Sequence, residues 1–189
     1  MTGTRERPLR ADAQRNRDQI LVAAAAAFSK CGLEATLEGI AKDAGVGIGT
    51  LYRHFPTRDL LIEAAYRNEL AAVCAAAPDL LDKMPPVEAL RAWMDRFVDY
   101  MTRKMGMADA LRAAIASGAN PYAQTFDLLF GAIKPLLDAG AAVGEIRSDV
   151  SADDVLVSLS GVALAAGSKR DQADRLLDLL LDGLRYRPS

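Results

Sequence analysis

The segment from Thr36 to Arg58 constrains what this chain can fold into more than any other. Leu37, Ile40 and Ala41 fall at helical spacing, as do Leu51 and Phe55, with Val46 between the two sets. Apolar residues three and four apart define one face of a helix rather than the alternation of a strand. Gly45 lies at the join, and glycine takes the positive φ of a sharp turn without steric cost. Ala41 and Ala44 are small, which lets two short helices cross closely. Helices this short are marginal alone, so both must pack on a neighbour.

The preceding stretch supplies that neighbour. Asp12 to Lys30 reads as a helix with Ile20, Leu21, Ala24, Phe28 and Cys31 on one face and Gly32 as its stop. Thr36 is the natural N-cap of the second helix, which runs to about Ala44, and Gly39 three residues on rules out a capping box. A third helix covers Ile48 to Phe55 and closes at Pro56. Thr57 caps a long fourth helix to about Ala77, where Pro78 ends it. Pro85 and Pro86 open Val87–Met105, whose Leu90, Met94, Phe97, Met101 and Met105 form a stripe. A short helix covers Met107–Ala116, then a loop spans Ser117 to Asn120. Pro121 opens a helix to about Ala139, which Pro135 should kink. After a loop at Gly144–Asp149, helices at Ala152–Ala166 and Gln172–Tyr186 finish the chain. The expected fold is all-α, with about nine helices: a three-helix head over residues 1–56 and a helical body over residues 57–189.

Charge sharpens this division. The net charge is −2 with pI near 5.5, which by itself does not suggest a nucleic-acid partner. Its distribution is uneven: the first 60 residues hold nine basic and seven acidic side chains, the rest 14 and 18. Arg5, Arg7, Arg10, Arg15 and Arg17 stand against Glu6 and Asp12, which predicts a basic arm before the first helix. Cys31 and Cys74 have no metal-like spacing and imply a reduced, intracellular protein. No apolar segment follows the N-terminal charges directly, so no signal peptide is expected. The apolar run Val155–Gly167 is shorter than the roughly 20 residues that cross a bilayer, so no membrane partner is expected.

The segment 36–55 has the logic of a helix-turn-helix. Its second helix leaves Ile48, Gly49, Thr50, Tyr52, Arg53 and His54 for solvent, a set suited to a major groove. Gly45-x-Gly47-x-Gly49 is not a dinucleotide loop, because Thr50 takes the third glycine's place and a helix precedes it. The residues Ile20-Leu21, Ala23-Ala24, Phe28, Gly32, Thr36, Ile40-Ala41, Ala44-Gly45-Val46, Gly49-Thr50-Leu51-Tyr52, His54-Phe55, Arg58 and Leu60 together resemble the tetracycline-repressor (TetR) family of bacterial regulators. The resemblance covers about the first third of the chain. It implies a cytoplasmic homodimer of all-helical subunits that binds a double-stranded DNA operator. By position it implies phosphate contacts from Thr36, Tyr52, His54 and Arg58. It places Gly47, Ile48, Gly49, Thr50 and Arg53 near base edges or backbone. Gly47 stands where the family often has serine, and Ile48 offers no hydrogen bond, so readout should lean on Arg53, Thr50 and DNA shape.

The body shows no catalytic constellation. His54 is the single histidine, and no G-x-S-x-G or H-E-x-x-H appears, so an enzyme is not expected. Trp93, Phe97, Tyr100, Met101, Met105, Met107, Tyr122, Phe126 and Phe130 concentrate aromatic and thioether surface. They would line either a pocket for an unknown small-molecule effector or a packed core. Arg112, Gln124 and Asp127 are candidate polar anchors. The small residues of Val155–Gly167 and the leucines 176, 177, 179, 180 and 184 predict a homodimer interface over residues 152–186. No cofactor is implied. The expected function is a ligand-released repressor. The alternative is an all-helical small-molecule binding protein with a non-functional head.

Overall fold

In the computed structural model, which describes residues 6–185 and side chains from Ala11 onward, the described residues form nine α-helices, one 3₁₀ turn and no strand. This is the all-α architecture the sequence predicts. No described helix is long and apolar enough to cross a membrane. The described residues group into two compact units. One holds residues up to Asn68 with Arg103–Pro121, the other Glu69–Thr102 with residues from Tyr122 onward.

The first unit begins with α1, Glu6–Cys31. It starts well before the predicted Asp12, so the expected basic arm is helical backbone from Glu6. Pro8 falls in the first turn, where a missing N–H costs no intrahelical bond, and no glycine or second proline interrupts the helix. Arg5 and the side chains of Arg7 and Arg10 lie outside what is described. The 3₁₀ turn Gly32–Glu34 follows, with Gly32 at φ +52°. Next come α2, Leu37–Asp43, and α3, Ile48–His54. Both short helices pack against α1 and against each other. Ile20, Leu21, Phe28, Ile40, Leu51 and Leu61 are all fully buried here. The unit is completed by the start of α4, Arg58–Leu81, the end of α5, Pro86–Gly106, and α6, Ala108–Ala116. A Cβ on Gly106 would lie 2.3 Å from the Ser29 carbonyl oxygen, so only glycine lets α5 end this close to α1.

Pro78 does not end α4 as expected. The proline loses its own N–H bond, yet its carbonyl still accepts from Asp82 N at 3.0 Å, and the helix keeps one more turn to Leu81.

The second unit is built from α5, α7 (Thr125–Ala142), α8 (Ala152–Ala166) and α9 (Arg170–Leu184). Helix α7 starts later than predicted because Gln124 takes a left-handed φ of +63°, which prevents a helix propagating from Pro121. Ser151 caps α8, its Oγ accepting from Asp153 N and Asp154 N at 3.1 and 3.4 Å. Helix α9 starts before the predicted Gln172, and Tyr186 lies outside the described residues. Helix α8 packs on α7 and α9. Ion pairs Arg91–Asp178 at 2.8 Å and Arg170–Asp95 at 2.9 Å tie α9 to α5.

Candidate nucleic-acid interface

Helix α2 begins on a side-chain cap. Thr36 sits in extended backbone and its Oγ1 accepts from Gly39 N at 3.1 Å. A Cβ at position 39 would come within 3.0 Å of that oxygen, so glycine makes room for the cap. The hydroxyl keeps its own proton, and an exposed hydroxyl with a free proton can donate to a phosphate. Helix α2 ends at Asp43 with Ala44 as its C-cap, and Gly45, at a φ of +68°, turns the chain toward α3. Ala44 N and Val46 N close the turn on the carbonyls of Ile40 and Ala41.

Helix α3 starts from Gly47 with no side-chain cap. One face is anchored: Leu51 is buried and Phe55 closes the helix from the core. The opposite face is open. Gly47 and Gly49 are exposed, with nothing within 4 Å of where a Cβ would stand, and Thr50 is half-buried. Ile48 is 38% exposed and Tyr52 46%, large values for such side chains on a well-packed helix. Arg53 is exposed, and neither it nor Tyr52 has a hydrogen bond or ion pair among the described residues. His54 is half-buried beside the Phe55 ring, centroids 6.3 Å apart. The structure thus brings Ile48, Gly49, Thr50, Tyr52 and Arg53, with Gly47 at the N-cap, onto one short helix whose core face is already satisfied.

Arg58 is placed differently from these. Its guanidinium donates to the carbonyl oxygens of Ala35 at 2.6 Å and Leu33 at 2.8 Å. The same group lies over the Phe28 ring, 5.0 Å from its centroid. Arg58 therefore joins the start of α4 to α1 and to the linker that presents Thr36. Arg17 makes a similar contact over Phe55 at 5.4 Å, so one of the arm's arginines packs within the head. Arg15 is held by Asp12.

In the body, the aromatic residues singled out from sequence divide. Trp93, Phe97 and Tyr100 are fully buried and stack in series, with centroids 5.6 and 6.0 Å apart. The indole Nε1 donates to the Val73 carbonyl at 2.9 Å. Met101 is buried, Met105 is half-buried and Met107 is buried, the last two in the first unit. Tyr122 and Phe126 are exposed, and half-buried Phe130 lies 6.4 Å from Phe126. None of these lines the apolar cavity of about 410 Å³ in the second unit. That cavity is walled by Cys74, Ala77, Pro78 and Leu81 of α4 and by Asp127, Leu128, Gly131, Ala132 and Pro135 of α7. Burial pushes the Cys74 thiol up from its ordinary value, which keeps it protonated and neutral. Of the expected polar anchors, Asp127 reaches the cavity, Arg112 pairs with Asp109, and Gln124 is exposed. A signal for the walls was present in the sequence: Cys74, Ala77, Pro78 and Leu81, and likewise Leu128, Gly131, Ala132 and Pro135, recur at i, i+3, i+4 and i+7, one helical face each, but with no aromatic among them.

Comparison with known proteins agrees with the head's geometry. Residues 20–65 match the family described as bacterial regulatory proteins, tetR family. Residues 85–186 match the family described as transcriptional regulator SbtR-like, C-terminal domain. The HTH-type transcriptional repressor KstR of Rhodococcus jostii is 32% identical over 203 residues, spanning 97% of this chain and 91% of that protein. The crystal structure of a TetR transcriptional regulator from Streptomyces coelicolor is 57% identical with a TM-score of 0.89, covering 91% of this chain and 99% of that one. A TetR regulatory protein from Mycobacterium vanbaalenii is 31% identical with a TM-score of 0.79, covering 95% and 100%. This chain belongs to the tetR family of bacterial regulators and is a DNA-binding transcriptional regulator.

Proposed function

We propose that this regulator is a homodimeric repressor whose residues 1–56 bind operator DNA and whose residues 57–189 bind an effector and dimerise. The observation that carries this reading is α3, anchored through Leu51 while Tyr52 and Arg53 stand exposed and unpartnered among the described residues. Thr36, Tyr52 and His54 contact phosphates. Gly47, Ile48, Gly49, Thr50 and Arg53 face the groove, with Arg53 as the hydrogen-bonding reader and Ile48 against thymine methyls. Arg58, held by Leu33 and Ala35, fixes the linker in front of Thr36. The repressor assignment is supported by the printed description of the Rhodococcus relative.

Dimerisation is supported by Val157 (68% exposed) and Leu164 (64%) on α8 and Leu179 (68%) on α9. Exposed apolar side chains on adjacent helices are the mark of a surface that a second copy covers. Two heads then meet half-sites about one helical turn apart on a pseudo-palindrome. The effector occupies the cavity between α4 and α7. Since α4 carries both Arg58 and one cavity wall, a ligand that favours a shifted α4 selects the state that fits DNA poorly.

The test is a gel shift with the full chain on duplexes enriched from a random pool. The expected result is a palindromic site bound with an affinity that falls steeply with salt, and weakened by Arg53→Ala by about 1–3 kcal/mol. Failure to enrich any sequence, or an unchanged affinity for Arg53→Ala, overturns the reading.

A further inference from the structure

We infer that the α4–α7 cavity takes an apolar molecule bearing a protonated amine, seated against Asp127, and rejects the carboxylate of the same shape. The inference deepens the proposal that this cavity is the effector site, and rests on it. The cavity walls carry a single charged side chain, Asp127, and no basic one. Asp127 has no hydrogen bond or ion pair among the described residues, so its carboxylate has no competing cation to displace. It lies in the first turn of α7, where the helix dipole favours negative charge.

The prolines point the same way. Pro78 and Pro135 both sit inside helices and both line the cavity. Neither has an N–H, so the carbonyls four residues earlier, on Cys74 and Gly131, lose their helical donors. Those two residues are cavity walls as well. The residues lining the site therefore include a carboxylate and two carbonyls short of a helical donor, against one weak donor in the Cys74 thiol. A ligand with N–H groups and positive charge matches that inventory, whereas a carboxylate would face a like charge with nothing to bind it. The rest of the lining is alanine, leucine and proline, which suits an apolar body. A volume of about 410 Å³ falls within the usual range for small-molecule sites.

The experiment uses the full chain and three probes of equal length: octylamine, octanol and octanoate, followed by calorimetry and thermal shift at neutral pH. Octylammonium is expected to bind tightest and octanoate weakest. Asp127→Asn should weaken octylammonium by about fivefold and leave octanol unchanged. Gly131→Leu, whose Cβ meets nothing within 4 Å, fills the space and should abolish all binding. If all three probes bind alike and Gly131→Leu removes them, or octanoate binds best, the amine class is overturned while the cavity stands. If none binds, or binding survives Gly131→Leu, the cavity itself is overturned as the effector site.

Discussion

The reading helix and the body cavity differ in how their faces are made. Helix α3 has one face fixed by Leu51 and Phe55, so its other face points outward by default. The cavity has no such anchor. It exists because α4 and α7 line it largely with alanine, glycine and proline, and their side chains stop short of filling the space. A motif of large apolar residues therefore marks where the chain is filled. A stripe of small ones marks where it is left open. The aromatic residues of α5 follow the first rule: Trp93, Phe97 and Tyr100 pack together as core, and the opening lies elsewhere.

The largest expected difference between the two regions is in stability. Leu51→Ala removes a fully buried side chain from the core of the first unit and should cost about 2–5 kcal/mol, read by denaturant unfolding, with loss of DNA binding. Leu128→Ala at the cavity wall, where the leucine is already 47% exposed, should stay within about 0.5 kcal/mol. Equal costs would mean that the cavity wall is as tightly packed as the head.

A smaller effect separates two arginines inside the head. Arg58→Ala removes two hydrogen bonds to carbonyls and a contact over Phe28, and should destabilise by about 1–3 kcal/mol. Its salt slope for DNA binding should stay as in the parent. Arg53→Ala should do the reverse, weakening binding with stability within about 0.5 kcal/mol. A drop of about 0.9 in the salt slope for Arg58→Ala would show that its remaining N–H groups grip phosphate, as the family resemblance implies.

The smallest effect concerns the start of the reading helix. Gly47 caps α3 with no side chain, and a Cβ there meets nothing within 4 Å. Gly47→Ser should add an N-cap hydrogen bond and raise stability by a few tenths of a kcal/mol in thermal unfolding. A loss of stability would show that the glycine is kept for its backbone freedom.

By itself the sequence determined the elements whose signals are local. Thr36 and Ser151 cap helices where short hydroxyl side chains reach nearby amides. Gly45 turns because it alone carries no Cβ. The helical spacing of Ile40 and Ala41 with Leu37, and of Leu51 with Phe55, placed the core of the head, and the residues left over form the exposed face of α3. Helix ends were less legible, because Pro8 sits in a first turn that tolerates it, Pro78 still lets its own carbonyl accept the next helical bond, and Gln124 adopts a left-handed φ without being glycine. Tertiary structure alone decided which apolar residues are core and which surround space. Apolarity fixes that a side chain leaves water, but whether a neighbour fills the volume beside it depends on the facing helix. It also decided where Arg58 points, since its partners lie 23 and 25 residues away along the chain.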